Sequence, residues 1–203
     1  GSNDLLSAEQ NVQLTQLVHS AGVNNIFSAA DTFKAKFIYL SSDFVFSGVD
    51  GNYNETSTAI PAFQLGKAKL GAENFLRSRS LNYIIIRSAP LLGRGTLEHP
   101  TLVDLLRESS LRKKKVKMPG KILHNPVHVS ELVRVIKQVI DEDIRNKILH
   151  IGGLTKISMA DLGRAVIEKL GLEPSTLEVS DAASNAVASD YSLNFSETLD
   201  LLK

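Results

Sequence analysis

Apolar residues between Leu14 and Phe33 recur at helical spacing: Leu14, Leu17 and Val18, then Val23, Ile26, Phe27 and Ala30. The spacing predicts two helical stretches broken near Gly22. Lys36-Phe37-Ile38-Tyr39-Leu40-Ser41-Ser42 is different. It is short, β-rich and apolar on consecutive positions, which predicts a strand covered on both faces. Gly48 to Pro61 is rich in Gly, Asn, Asp, Ser and Thr and reads as a surface loop. Gln64 to Arg79 returns to helical spacing through Leu65, Leu70, Phe75 and Leu76, and Tyr83-Ile84-Ile85-Ile86-Arg87 repeats the buried-strand pattern. Strand, helix, strand in that order is the parallel crossover unit of an α/β fold.

Further helices are expected over Thr101 to Leu111 and over Val129 to Ile140, the latter with Val129, Leu132, Val133, Ile136 and Ile140 on its apolar face. Gly93 to Pro100 reads as a loop and Lys147 to Ile151 as a strand stopped by Gly152-Gly153. Ser158 is placed to cap a helix over Met159 to Leu170, closed by Gly171. Leu172 to Ala188 reads as loop-like, and a short helix around Leu199-Asp200-Leu201-Leu202 ends the chain.

Composition removes several alternatives. The chain has 203 residues, 43% of them apolar, and a net charge of +1, so bulk electrostatics favour neither nucleic acid nor an anionic membrane. Arg112-Lys113-Lys114-Lys115 follows a helix and reads as a solvated helix end, with no interleaved aromatics to suggest a nucleic-acid surface. There is no cysteine, so disulfides, thiolate nucleophiles and cysteine-bound metals are excluded. No apolar run approaches the roughly 20 residues that span a bilayer. A cytoplasmic location is the expectation. His124 and His128 are four apart, but Pro126 between them keeps them off a shared helix face, and no metal is expected.

Several segments resemble, in order, those of the extended short-chain dehydrogenases, and within them the dTDP-4-dehydrorhamnose reductases. Ser41-Ser42-Asp43-Phe44-Val45-Phe46-Ser47-Gly48 resembles Ser-(Ser/Thr)-Asp-Tyr-Val-Phe-x-Gly. Tyr53-Asn54-Glu55 resembles Tyr-x-Glu, and Pro61 through Glu73 resembles Pro-x-x-x-Tyr-Gly-x-(Ser/Thr)-Lys-x-x-x-Glu. Ile84 to Ser88, Asn125-Pro126-Val127-His128-Val129 and Leu149 to Gly153 resemble later segments of the same family. The resemblance runs from roughly residue 20 to the C-terminus.

It implies a partial Rossmann-like parallel sheet flanked by helices, with a small α/β C-terminal substrate lobe. It divides the chain into an incomplete Rossmann-like domain, 3–122, and a mainly substrate-binding lobe, 123–203, with some segments returning to the main sheet. By the same resemblance NAD(P) is the cofactor, and a nucleotide sugar of the dTDP-deoxysugar kind is the small-molecule partner. In this family a hydride passes to a sugar ketone while a tyrosine supplies the proton, a lysine tunes it and a hydroxyl holds the carbonyl. Carried over residue by residue, the catalytic positions are Ser42 and Lys69. The cofactor-binding positions are Ser41, Lys69, Ser88 and Pro90, and the substrate-binding positions are Phe46, Asn125 and His128. Arg87 follows a buried strand and is expected to pair with a carboxylate.

Three departures change what the resemblance implies. The tyrosine position is Leu65, which cannot donate a proton. No Gly-x-x-Gly-x-x-Gly precedes the Phe37 strand, so the pyrophosphate-binding half of the family pattern is missing from this chain. Near the C-terminus, Val187-Ala188-Ser189-Asp190 stands where the family has Arg-Pro-x-Asn. The expectations are a reductase-like protein impaired as the chain stands or, alternatively, a non-catalytic binding or regulatory subunit. The open sheet edge would be covered by self-association or by a partner chain.

Overall fold

The computed structural model describes residues 5–79, 82–96, 100–180 and 190–203, apart from the side chain of Leu6. His99 and Val187 to Ser189 lie outside them. Two short helices, α1 (Leu5–Gln10) and α2 (Val12–Gln16), lead into one π turn at Leu17–Ala21 and then α3 (Gly22–Thr32). The interruption anticipated near Gly22 is thus a widened turn rather than a break. The apolar face also differs from the one the spacing suggested. Phe27 is buried, while Leu14, Leu17 and Ile26 face outward.

Next come β1 (Phe37–Ser42), α4 (Gln64–Ser78) and β2 (Tyr83–Ser88), joined by the short β3 (Leu91–Leu92) to α5 (Leu102–Leu111). Thr101 and Asp104 form a reciprocal cap at the start of α5, which explains its sharp beginning. Then follow β4 (Val116–Pro119), β5 (Leu123–His124), β6 (Val127–His128), α6 (Val129–Asp141) and β7 (Lys147–Ile151). The chain closes with β8 (Ile157–Ser158), α7 (Met159–Leu170), β9 (Leu177–Ser180) and α8 (Ser196–Leu201). Ser158 accepts from the Asp161 amide at the start of α7, and Gly171 ends it with φ +62°, a backbone state that costs glycine nothing.

The main sheet has the order β1-β2-β7, all parallel. Its strands are covered on both faces, as their unbroken apolar runs require. On one face Tyr39, Tyr83 and Ile85 pack against Phe27 of α3 and Ala72 and Leu76 of α4. On the other, Ile84, Ile86, Leu149 and Ile151 meet Leu132, Val135 and Val139 of α6. The buried face of α6 is therefore rotated from the one the spacing picked: Val133 and Ile140 are exposed. A small lobe sits beside the sheet. In it β4 pairs with β9, and Leu106, Met118, Ala160 and Ile167 form a separate core. β4 and β9 alternate apolar and polar residues, but over four residues each, too short a run for periodicity to mark them as strands, and Leu172–Ser180 is part strand rather than loop throughout. Residues 102–119, on the sheet-domain side of a boundary at 122, pack in this lobe.

Tail and loop are tied to the sheet by buried polar side chains. Asn125 accepts from the Leu193 amide (2.9 Å) and donates to the carbonyls of Leu193 (2.9 Å) and Gly153 (3.0 Å). A Cβ at Gly152 would collide with this amide, so glycine is needed there. His150 Nδ1 donates to the carbonyls of Tyr53 (3.0 Å) and Asn194 (3.1 Å), which fixes the proton on that nitrogen.

Candidate functional site at the carboxyl ends of the strands

β1 and β2 end at Ser42 and Ser88, which are register partners. Beyond them lies a cavity of about 330 Å³ lined by Leu40, Ser41, Ser42, Asp43, Phe44, Leu65, Lys69, Ser88, Ala89, Pro90, Leu91 and Leu132. Ligands of open parallel sheets bind in such crevices outside the carboxyl ends of the strands. Alternation along β1 aims Ser42 at the α6 side, while Lys69 comes from α4 on the opposite face. Both line the same cavity because it wraps around the end of the sheet.

Of the positions carried over from the family pattern, Ser41, Ser42, Leu65, Lys69, Ser88 and Pro90 are brought together here. Phe46, Asn125 and His128 are not. Phe46 is fully buried and stacks on Tyr53 with centroids 4.2 Å apart, so no ligand reaches its ring. Asn125 spends its amide on the tail, as described above. His128 is exposed and caps α6, accepting from the Ser130 amide at 3.3 Å. A substrate-contacting role for Phe46 and Asn125 is therefore at odds with their packing: each is already committed to holding the fold.

α4 makes the cavity wall by close approach. Gly66 lies against the Phe44 carbonyl, where any Cβ would overlap backbone. One residue earlier, Leu65 is buried and lines the cavity. One turn later, Lys69 is 8% exposed and donates to the Leu40 carbonyl at 3.0 Å, its ammonium 5.6 Å from the centre of the Tyr39 ring. Burial lowers its pKa to about 8, against the opposing pull of Glu73.

Beneath the cavity floor, Glu73 pairs with Arg87 through contacts of 2.7 to 3.2 Å and accepts the Ser41 hydroxyl at 2.5 Å. Arg87 Nη1 also lies 3.5 Å from His150 Nε2. Arg87 is thus paired with a carboxylate, as its sequence position suggested. Burial and the neighbouring guanidinium hold His150 neutral, with its pKa lowered to about 4 although Glu55 opposes this.

One constellation escaped the sequence. Ser42 Oγ donates to Asp43 Oδ1 at 2.9 Å, and Asp43 Oδ2 lies 2.6 Å from His124 Nδ1. Asp43 and His124 are 81 residues apart, and no local spacing could have linked them. Among the described residues no group of His, Asp or Glu is arranged to hold a metal ion. No helix among them is long and apolar enough to cross a membrane.

A parallel sheet, helices on both faces and a cavity at the strand ends define a Rossmann-like α/β fold. Residues 3–194 match the RmlD substrate binding domain family, and the chain belongs to it. It is similar to the dTDP-4-dehydrorhamnose reductase of Mycobacterium tuberculosis H37Rv, with 24% identity over 84% of this chain and 57% of that protein. It is also similar to the methionine adenosyltransferase 2 subunit beta of Rattus norvegicus, 25% identical over 75% of this chain and 47% of the relative. The chain thus spans about half the length of these curated relatives. Among solved structures, a dTDP-4-dehydrorhamnose reductase from Bacillus anthracis in complex with NADP superposes with a TM-score of 0.85 at 18% identity, covering 99% of this chain and 71% of that one. A dTDP-glucose 4,6-dehydratase from Streptomyces venezuelae with NAD bound gives 0.87 at 20% identity, covering 100% and 65%. At such identities these structures establish the shared fold.

Proposed function

We propose that this chain is the nucleotide-sugar side of an NAD(P)-dependent reductase-like protein of dTDP-deoxysugar metabolism, with the usual proton route cut at Leu65. The observation that carries the reading is the convergence of Ser42, Lys69 and Ser88 on one cavity, with Leu65 where the family pattern has its tyrosine. The family membership and the relatives named as dTDP-4-dehydrorhamnose reductases support the substrate class. A cytoplasmic location goes with this reading.

The residues present suit part of a nicotinamide dinucleotide. Lys69 is buried at the cavity wall, and its ammonium has donors beyond the one given to Leu40 O. Ser88 and Ser42 add hydroxyls on the far wall. A polyol such as a ribose is the chemistry these groups would hold. The pyrophosphate end would need a glycine-rich loop that this sequence does not contain. When bound, the reduced cofactor supplies a hydride. The chain's own part is to orient the ketone through Ser42, to exclude water with Leu65, Ala89 and Leu132, and to deliver a proton.

The test is reduction of a dTDP-4-keto-6-deoxyhexose by NADPH in wild type, Leu65→Tyr and Leu65→Phe. Restoring the phenol is expected to raise turnover by about 100-fold, the usual scale for a positioned general acid, while Leu65→Phe gains nothing. Equal rates in Leu65→Tyr and Leu65→Phe would remove the mechanistic argument.

A second reading has its own support. The chain is similar to proteins named as the beta subunit of an adenosyltransferase, and Leu65 suits a protein kept for binding. In that case β1, an edge of the described sheet, is where a partner chain or a second copy would add a strand. Light scattering that finds a lone monomer, with no partner in pull-downs, argues against it.

A further inference from the structure

Leu65 leaves the site without its phenol, but a second acidic chain enters the same cavity. Ser42 Oγ accepts from the Phe44 amide at 3.2 Å and donates to Asp43 Oδ1 at 2.9 Å. The other oxygen of Asp43 lies 2.6 Å from His124 Nδ1. Asp43 is 1% exposed and His124 2%, so water does not screen the pair. The imidazole is held edge-on to Phe44 and stacked on Tyr191, with centroids 5.4 and 5.6 Å away. Its orientation is fixed from both sides. The order of the groups matters. The carboxylate, not the imidazole, touches the hydroxyl, so Ser42 is not the nucleophile of a hydrolase triad, in which histidine must sit between the two. What the arrangement can do is pass a proton along a line of three groups whose outer end opens into the cavity.

We propose that His124 and Asp43 supply the proton for ketone reduction through the Ser42 hydroxyl, in place of the tyrosine that Leu65 displaces. This inference rests on the reductase-like reading above. The step is a proton transfer. Hydride addition leaves an alkoxide on the sugar, and the Ser42 O–H bond breaks as a new O–H bond forms on that oxygen. Ser42 regains a proton from the Asp43 carboxyl, which takes one on Oδ2 from Nδ1 of His124 and turns about Cβ–Cγ to present it to Ser42. The imidazole is left neutral and is reprotonated between turnovers by the same relay run in reverse, from water in the open cavity through Ser42 and Asp43. Ser42 meets the reacting oxygen; Asp43 and His124 act through it. The titratable groups around the relay are Asp43 on its own loop, Tyr191 against the imidazole and Lys69 across the cavity.

The experiment is a pH–rate profile of single-turnover ketone reduction by NADPH in wild type, His124→Gln, Leu65→Tyr and the double variant. The imidazole N–H resonance of His124 is followed in parallel by proton NMR, assigned by its loss in His124→Gln and its shift in Asp43→Asn. Glutamine keeps an N–H donor for Asp43 but cannot titrate. Wild type is expected to lose at least about tenfold in His124→Gln, together with the limb of the profile that reports the acid. In the Leu65→Tyr background the same change should cost less than about threefold, since the phenol then supplies the proton. The His124 resonance should shift when the keto-sugar binds. An equal proportional loss in both backgrounds would mean a structural role and overturn the proposal, as would an undiminished rate in His124→Gln. Absence of both turnover and a ligand-induced shift in wild type would instead defeat the reductase-like reading, and the relay with it.

Discussion

Lys69 and Glu73 stand one turn apart on α4, and both are buried, but the molecule treats their charges differently. Glu73 is fully enclosed and fully matched: Arg87 meets both its oxygens and Ser41 donates to one of them. Lys69 has one backbone carbonyl and the face of a ring, and burial lowers its pKa although Glu73 opposes this. The first group is scaffold, joining α4 to β2 at a site with nothing left to bind. The second is a donor kept at the edge of a cavity, at some cost in solvation. A buried charge that is satisfied holds the fold; one that is under-satisfied and faces a cavity is where a ligand is to be sought.

Breaking the matched pair should have the largest effect. Glu73→Gln leaves Arg87 buried without its counter-charge, and urea unfolding should show a loss of about 3 to 5 kcal/mol. Next comes the histidine behind Arg87. His150 is held neutral when folded, with its pKa near 4, but takes a proton at its ordinary 6.5 when unfolded. The unfolded chain therefore binds more protons between those values, and stability falls as pH drops from about 6.5 to 4, then levels off. The drop should amount to a few kcal/mol and be absent in His150→Gln, as read from urea midpoints across that range. Gly66→Ala, which drives a methyl group against the Phe44 carbonyl at the cavity wall, should cost about 1 to 3 kcal/mol by thermal melting. Smallest of all is Lys69→Met. Removing a poorly matched buried charge should change stability by less than about 1 kcal/mol in either direction. A loss as large as that of Glu73→Gln would erase the distinction between the two regions.

Much of this was legible in the sequence, and the exceptions have physical causes. The β1–α4–β2 unit announced itself because buried parallel strands are apolar at every position. β4 and β9 alternate over four residues each, too few to stand out from a loop, so they were invisible. The α6 face was misjudged because several apolar residues compete for it and tertiary packing chose Val135 and Val139 over Val133 and Ile140. In the site, Ser42, Lys69 and Leu65 followed from a local motif. His124 did not, because its partner Asp43 is distant in sequence and the contact exists in the fold alone. Phe46 and Asn125 hold motif positions whose side chains are already engaged in packing and in backbone hydrogen bonds.

On the reductase-like reading proposed above, Lys69 is held at the cavity to receive the nicotinamide-ribose end of a dinucleotide. Isothermal titration of the chain with reduced nicotinamide mononucleotide, compared with Lys69→Met, addresses it directly. Saturable binding that weakens at least about tenfold in Lys69→Met, and that weakens in wild type as pH rises through about 8, is the predicted result. Binding that is equal in the two proteins, or absent from both at millimolar ligand, would contradict it.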